Sequence, residues 1–289
     1  MTESEYKSEW LAGLHHTEYN NCRFAEDKIQ YAKNWLLRNR LVDKDYRPCT
    51  NFIANIVCTE KLHIATDESY RELCSRWTDK IQVRQELKNL NMDELVYDNT
   101  ACCKYDMLST SDIKSLKSNM MFKCNHGSNW NIKYLNSRDI TSVLKNINDW
   151  QKLNYAYMCG YEAQYEHIRP GYIMQQLLSA TPVEYNFWCI DEEIVAVGLT
   201  KKLDNDITEH LAFTDIVGKR LDWCVGAKPE MDNLQSVFKK SIDKMLPYVR
   251  EIAKLFKFVR IDMFTVNGYI KFGEATLTPC GGKIIMQKL

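Results

Sequence analysis

Three groups of side chains in this sequence could do chemistry. Lys123 closes a short apolar run, MMFKC at 120–124, and Asn125-His126-Gly127-Ser128 follow it. A lysine at a strand end can set a point charge on a phosphate, and a glycine-containing loop can turn backbone N–H groups onto phosphate oxygens. The plain alternative is a surface lysine beside an ordinary turn. The second group is Arg260, Asp262, Glu274 and Thr276. Two carboxylates projecting together suit magnesium, which binds hard oxygen ligands. A neighbouring arginine can steady an oxyanion or a phosphoryl oxygen. The alternative is a solvated cross-strand ion pair, which contributes little. The third is Lys80 in TDKIQVRQEL, by itself an ordinary helix lysine.

The second group depends on strand register. FVRIDMF (258–264) alternates apolar and polar residues, and YIKFGEATLTP (269–279) follows Asn267-Gly268. Asn-Gly between alternating runs signals a hairpin. A two-residue turn would place Asp262 and Glu274 on opposite faces. A three-residue loop with Gly268 left-handed pairs 262 with 272 and 260 with 274, gathering all four side chains on one face. The three-residue loop is therefore expected.

Elsewhere the chain reads as helical over 24–40 and 68–90, and polar and turn-rich over 91–118, a lobe boundary. A helix is expected over 138–153 on Ile140, Val143, Leu144, Ile147 and Trp150. Strands are expected near 171–178, 185–190 and 194–199, with a hairpin tip at Asp191–Glu193. An amphipathic helix over 233–256, through Val237, Met245, Val249 and Ile252, contains Pro247. His126 reads as a loop hydrogen-bonding residue, and Trp150 and Trp188 as core.

The 289 residues carry 38 basic and 38 acidic side chains, so the net charge is zero. That balance argues against a general nucleic-acid binder. With 45% hydrophobic residues the chain can bury a core, which excludes wholesale disorder. The 11 cysteines show no C-x-x-C pair and read as reduced thiols in a cytoplasmic protein. The acidic start, MTESEYKSEW, has no apolar run of a signal peptide, and no stretch reaches the length of an integral membrane segment.

In chain order, TDKIQVRQEL (78–87), FKCNHGSNWN (122–131), GYEAQYEHIRPGYIMQQLL (160–178), VEYNFWCID (183–191) and FVRIDMFTVNGYIKFGEATLTPCGG (258–282) resemble the TupA-like ATP-grasp family. The resemblance implies an α+β fold. Two α+β lobes would clamp ATP, after a mainly helical N-terminal region. The expected division is 1–105 helical, 106–175 a small lobe with the phosphate loop, and 176–289 a large lobe with the metal site.

The resemblance also implies roles. Lys80 and Lys123 would reach the nucleotide phosphates, under a loop at Gly127-Ser128. The hinge Gln175-Gln176-Leu177 would read adenine through its backbone, and Glu184 would hold the ribose. Asp262, Glu274 and Thr276 would bind Mg2+. Arg260, with Lys123, would be catalytic and face an acyl phosphate. Glu162, Gly281 and Gly282 would contact substrate. The implied activity is an ATP-dependent carboxylate–amine ligase acting on small-molecule or glycan acids and amines, in capsule or O-antigen polysaccharide synthesis. A phosphotransferase and a non-catalytic nucleotide-binding relative are the alternatives. Three departures accompany the resemblance. Gln175-Gln176 stand where relatives carry a hinge glutamate, Asn186 stands where they carry lysine, and relatives usually continue further past Gly282.

Overall fold

The computed structural model describes residues 16–39, 52–97, 100–114, 119–135, 139–178, 182–203, 208–225, 228–231, 234–284 and 286–288. The acidic first residues and Arg40, at the end of the first expected helix, lie outside the described residues. Helices α1 (His16–Arg23), α2 (Lys28–Arg38), α3 (Phe52–Thr66), α4 (Glu68–Thr78) and α5 (Val83–Asn89) come first. Then follow β1 (Thr100–Lys104), α6 (Thr110–Lys114), β2 (Met120–Cys124), β3 (Asn131–Tyr134), α7 (Ile140–Gln151) and β4 (Tyr172–Gln176). The rest is β5 (Val183–Ile190), β6 (Glu193–Lys202), β7 (Thr208–Thr214), β8 (Trp223–Val225), α8 (Ser236–Ala253), β9 (Phe258–Val266), β10 (Tyr269–Thr276) and β11 (Met286–Lys288).

Aspartates start two of the helices. Asp27 accepts the Gln30 N–H at 2.8 Å and Asp67 accepts the Tyr70 N–H at 3.0 Å, each satisfying an orphan donor of a first turn. The single helix expected over 68–90 is broken into α4 and α5. Asp79 takes an extended backbone (φ −67°, ψ 111°), and its carboxylate accepts the Ile81 N–H at 2.8 Å. Lys80 therefore stands in a turn rather than on a helix.

The strands form an antiparallel four-stranded sheet in the order β1-β4-β2-β3 and an antiparallel five-stranded sheet in the order β10-β9-β5-β6-β7. β8 and β11 form a separate pair. This is an α+β architecture. β1 corrects the reading of 91–118 as turns alone. It pairs with β4, so the four-stranded sheet already begins inside the segment expected to be helical.

Each sheet packs one face against a helix, and the five-stranded sheet is partly covered on its other face as well. Helix α7 covers the four-stranded sheet, placing Val143, Ile147 and Trp150 against Phe122, Cys124 and Met174. Helix α8 covers the five-stranded sheet with Ile242, Met245, Val249 and Ile252, against Phe187, Val197, Leu199 and Ile261. Each such buried side chain contributes roughly 1.5–3 kcal/mol. Val237, expected on that stripe, is instead exposed. On the other face of the five-stranded sheet, Ile53, Ala54 and Val57 of α3 cover Trp188 and Ile190. The neighbouring Glu184 and Asn186 end of that face is left for polar groups. Among the described residues, no helix is long and apolar enough to cross a membrane.

The β9–β10 hairpin corrects the expected register. Its turn has two residues, Asn267 (φ 51°) and Gly268 (φ 83°), both left-handed, so Val266 pairs with Tyr269. Asp262 and Glu274 nonetheless share a face. The pairing shifts between Phe272 and Glu274, and Gly273 becomes the extra residue of a β-bulge that sets Glu274 opposite Asp262 and Thr276 opposite Arg260. A Cβ at Gly273 would lie 2.9 Å from the Asp262 carbonyl oxygen. Gly273→Ala should therefore lower stability by about 1–3 kcal/mol. Urea unfolding of the full chain measures this, and an unchanged midpoint would show that the bulge admits a methyl group.

Candidate active site

The polar face of the five-stranded sheet carries one joined network. Arg260 Nε donates to Asp262 Oδ1 at 2.8 Å, and Arg260 Nη2 donates to Asp262 Oδ2 at 2.5 Å. The same Nη2 lies 3.2 Å from Glu274 Oε1 and 3.2 Å from Thr276 Oγ1. Thr276 donates to Glu274 at 3.0 Å. On the other side, Asn186 Nδ2 donates to Asp262 Oδ1 at 2.8 Å, and Thr200 Oγ1 donates to Asn186 Oδ1 at 3.0 Å. Glu184 shares this face, two residues before Asn186 on β5 and opposite Phe264.

Burial pushes the Asp262 carboxyl up to about 7, against the opposing pull of Arg260. Glu274 behaves differently. Burial would raise its pKa, but Arg260, Lys80, Thr276 and Lys123 together bring it below the usual glutamate value. Protein surrounds it on the cleft floor, yet 47% of its side chain meets solvent, so these interactions are partly screened.

Across the cleft, the four-stranded sheet and the α4–α5 turn supply cations. Lys80, Lys123, Ser128, Gln175, Glu274 and Thr276 line one cavity. Lys80 Nζ donates to the Gly127 carbonyl at 2.5 Å. Desolvation lowers the pKa of Lys123, and Lys80 lowers it further, while Glu274 and Glu184 pull it back. The turn that places Lys80 is itself pinned. Buried Asp79 accepts from Asn125 Nδ2 at 2.9 Å and from Tyr105 OH at 2.9 Å. The Asn125 amide also donates to Arg169 O at 2.9 Å.

The loop after β2 departs from the expected phosphate cradle in one respect: the Gly127 carbonyl is engaged by Lys80. Glycine is required there by its neighbour, because a Cβ would lie 2.4 Å from the Trp130 ring. His126 is a hydrogen-bonding loop residue, 3.0 Å from Asn125 Oδ1 and 3.3 Å from Trp150 O.

Gln175 lines the cavity, while Gln176, Leu177, Glu162, Gly281 and Gly282 lie outside its lining. In the hinge, the Gln175 side chain reaches Thr100 Oγ1 at 3.3 Å and Gln176 is exposed. The Leu177 N–H is already donated to Asn119 O at 2.8 Å, so it has no hydrogen to offer a base. Glu162 is buried, accepting from Thr278 Oγ1 at 2.5 Å. Gly281 and Gly282 are buried beneath α3, and Gly281 O accepts from Lys61. These three residues form an underlying layer rather than the cavity wall.

Sequence reading missed other members. Arg84 lines the same cavity, as does Tyr165, which falls in the family-like segment and was expected at most to contact substrate. Lys202 adds positive charge felt by both Lys123 and Glu184. β6 runs on to Lys202, past the expected end at 199.

The carboxylate set fits magnesium. The oxygens of Asp262, Glu274 and Thr276 converge on a single cationic nitrogen, Arg260 Nη2, which marks where a cation is favoured. Among the described residues, no three His, Cys, Asp or Glu side chains gather to cage a metal. Magnesium is commonly held by one or two carboxylates together with substrate phosphates.

Residues 62–288 match the model of a family described as TupA-like ATPgrasp. No curated protein matches the chain. Among solved structures, the chain is similar to a D-alanine–D-alanine ligase from Bacillus anthracis complexed with ATP. There the identity is 12%, over 70% of this chain and 54% of that one, with a TM-score of 0.41. For the D-alanine–D-alanine ligase from Helicobacter pylori the values are 14%, 71%, 55% and 0.42. For an L-amino acid ligase from Bacillus licheniformis they are 11%, 89%, 56% and 0.49. The chain thus spans about half the length of these structures.

Burial lowers the His126 pKa to about 4, from an ordinary 6.5. Between those values the unfolded chain takes up a proton that the folded chain refuses, so stability is lost as pH falls below 6.5. The loss should reach about 2 kcal/mol at pH 5. Urea unfolding at pH 7 and pH 5 measures it, and a His126→Gln variant should lack this component. An equal pH dependence in both proteins would refute the assignment.

Proposed function

The chain belongs to the TupA-like ATP-grasp family, and from that premise we propose an ATP-dependent ligase that activates a carboxylate as an acyl phosphate and joins it to an amine. Its α+β architecture is the ATP-grasp fold. One observation carries the reading: Lys80 and Lys123 face Glu274 and Thr276 across a single cavity, and Glu274 is joined through Arg260 to Asp262.

In this reading residues 106–175, with β1, are the small lobe and 176–289 the large lobe. Lys80 and Lys123 hold phosphate oxygens, with Ser128 at the loop and Gln175-Gln176-Leu177 near the base. Because the Leu177 N–H is taken, base reading falls to the carbonyls and side chains of that hinge. Glu184 holds the ribose. Asp262, Glu274 and Thr276 hold magnesium, which when bound offsets the negative charge of the phosphates. A substrate carboxylate oxygen bonds to the γ-phosphorus as the bond to ADP breaks. The amine nitrogen then bonds to the acyl carbon, phosphate departs, and the nitrogen gives up a proton. Arg260 steadies the tetrahedral oxyanion between those events. Glu162, Gly281 and Gly282 support the substrate side.

We assign the acid to the uronic-acid or glutamate class and the amine to amino acids or amino sugars, in cytoplasmic synthesis of capsule or O-antigen polysaccharide. An ADP-release assay across such acids and amines, with mass spectrometry of the products, tests this. ADP should appear only with both substrates present, alongside an amide. ADP at full rate without amine, or a stable phosphorylated hydroxyl product, would overturn it, the latter in favour of a phosphotransferase. Lys123→Ala should lower kcat/KM by about 100-fold or more, about 2.7 kcal/mol of lost transition-state stabilisation.

A further inference from the structure

Beneath the cavity lies a buried charge cluster that the reaction scheme above does not use. Lys61 of α3 is 1% exposed. Its Nζ donates to Cys159 O at 2.6 Å and to Gly281 O at 2.8 Å, and lies 4.8 Å from the centre of the Trp35 ring. Trp35, in α2, is as deeply buried, and Lys283 Nζ stands 4.6 Å from the same ring. The backbone at Gly160 (φ 63°) packs so closely on that indole that a Cβ would lie 2.1 Å from it. Glu162, whose charge acts on Lys61, grips Thr278, and Gln164 Nε2 donates to Thr278 Oγ1 at 2.7 Å.

These contacts hold both ends of one turn. Thr278 is fixed by Glu162 and Gln164, and Gly281 by Lys61. The turn closes on itself through Gly281 N–H to Thr278 O at 2.9 Å. From Cys280 (φ 55°) through Gly281 (φ 66°) to Gly282 (φ 96°) the backbone is left-handed throughout. A cysteine persists in that conformation only where its surroundings over-determine it. The turn directly follows β10, which carries Glu274 and Thr276; Thr276 Oγ1 lies 3.2 Å from Arg260 Nη2 only two residues before Thr278, and Cys280 is exposed. Burying charged groups is a poor way to gain stability, since apolar groups of the same volume serve as well. What it adds is one defined backbone conformation.

We propose that Lys61 and Glu162 are positioning residues that set the 278–282 turn beside Arg260, so that α2 and α3 shape the acid- and amine-binding side of the site. This rests on the ligase reading, in which the acyl carbon must be presented to Arg260. It also extends the site upstream of the family match, which begins at residue 62. Trp35 and Lys61 both precede that point.

Two measurements on the full chain test the proposal. The first needs no substrate: the rate of iodoacetamide alkylation of Cys280, followed by peptide mass spectrometry, with half-buried Cys102 and Cys103 as internal references. In Lys61→Met the turn loosens, and the Cys280 rate should change by about fivefold or more while the references stay constant. The second is kinetic. The KM for acid or amine should rise by about tenfold or more, with the KM for ATP within about twofold of wild type, and Lys61→Arg should restore part of the loss. A folded Lys61→Met with wild-type alkylation overturns the proposal, as does altered alkylation with every KM unchanged. If Lys61→Met does not fold, Glu162→Gln, which keeps the side-chain volume, is judged by the same two criteria. Absence of acid- and amine-dependent ADP release in the wild type would refute the ligase reading instead, and alkylation alone then decides the turn.

Discussion

The bidentate pair between Arg260 and Asp262 is the interaction on which the site depends. Asp262 is only 5% exposed, and a buried carboxylate left without a partner costs roughly 3–5 kcal/mol. The structure surrounds it accordingly. Arg260 supplies two donors, Asn186 a third, and Thr200 orients Asn186 from the next strand. Four strands, β10-β9-β5-β6, thus contribute to one hydrogen-bonded patch. The same guanidinium also meets Glu274, so one side chain contacts both carboxylates.

That patch explains the irregularities around it. The Asn267-Gly268 turn by itself would aim Glu274 at α8 and the hydrophobic core. The bulge at Gly273 reverses this, and it is possible only because Gly273 has no side chain to strike the Asp262 carbonyl. The break after α4 follows a similar logic. Asp79 leaves the helix to bind Tyr105 and Asn125, which ties the Lys80 turn to the loop after β2. Cations from one sheet and its flanking turn are thereby brought to carboxylates on the other.

Much of the individual vocabulary was legible from residue types. β2, α7 and the three long strands β5, β6 and β9 follow from apolar periodicity. His126 is a hydrogen-bonded loop residue, and Trp150 and Trp188 are core, as their sizes and neighbours suggested. β1 was not legible, because TACCK is short and flanked by polar residues, and its pairing partner β4 lies some 70 residues away. Glu162 looked like a substrate contact because it falls within a family-like segment. Its burial, hydrogen-bonded to Thr278 and within reach of the Lys61 charge, is set by two distant parts of the chain.

By itself, the sequence determined which groups are available and which local signals start and stop elements. Aspartate caps, an Asn-Gly hairpin and helical stripes act within a few residues, so their effects can be read in one dimension. Tertiary structure decided which side of the sheet each charge meets and which charges meet at all. A one-residue bulge inverts a strand face, and the Lys61–Gly281 contact spans 220 residues. Such outcomes are set by burial energies and steric fit between segments far apart in the chain, which no local pattern encodes.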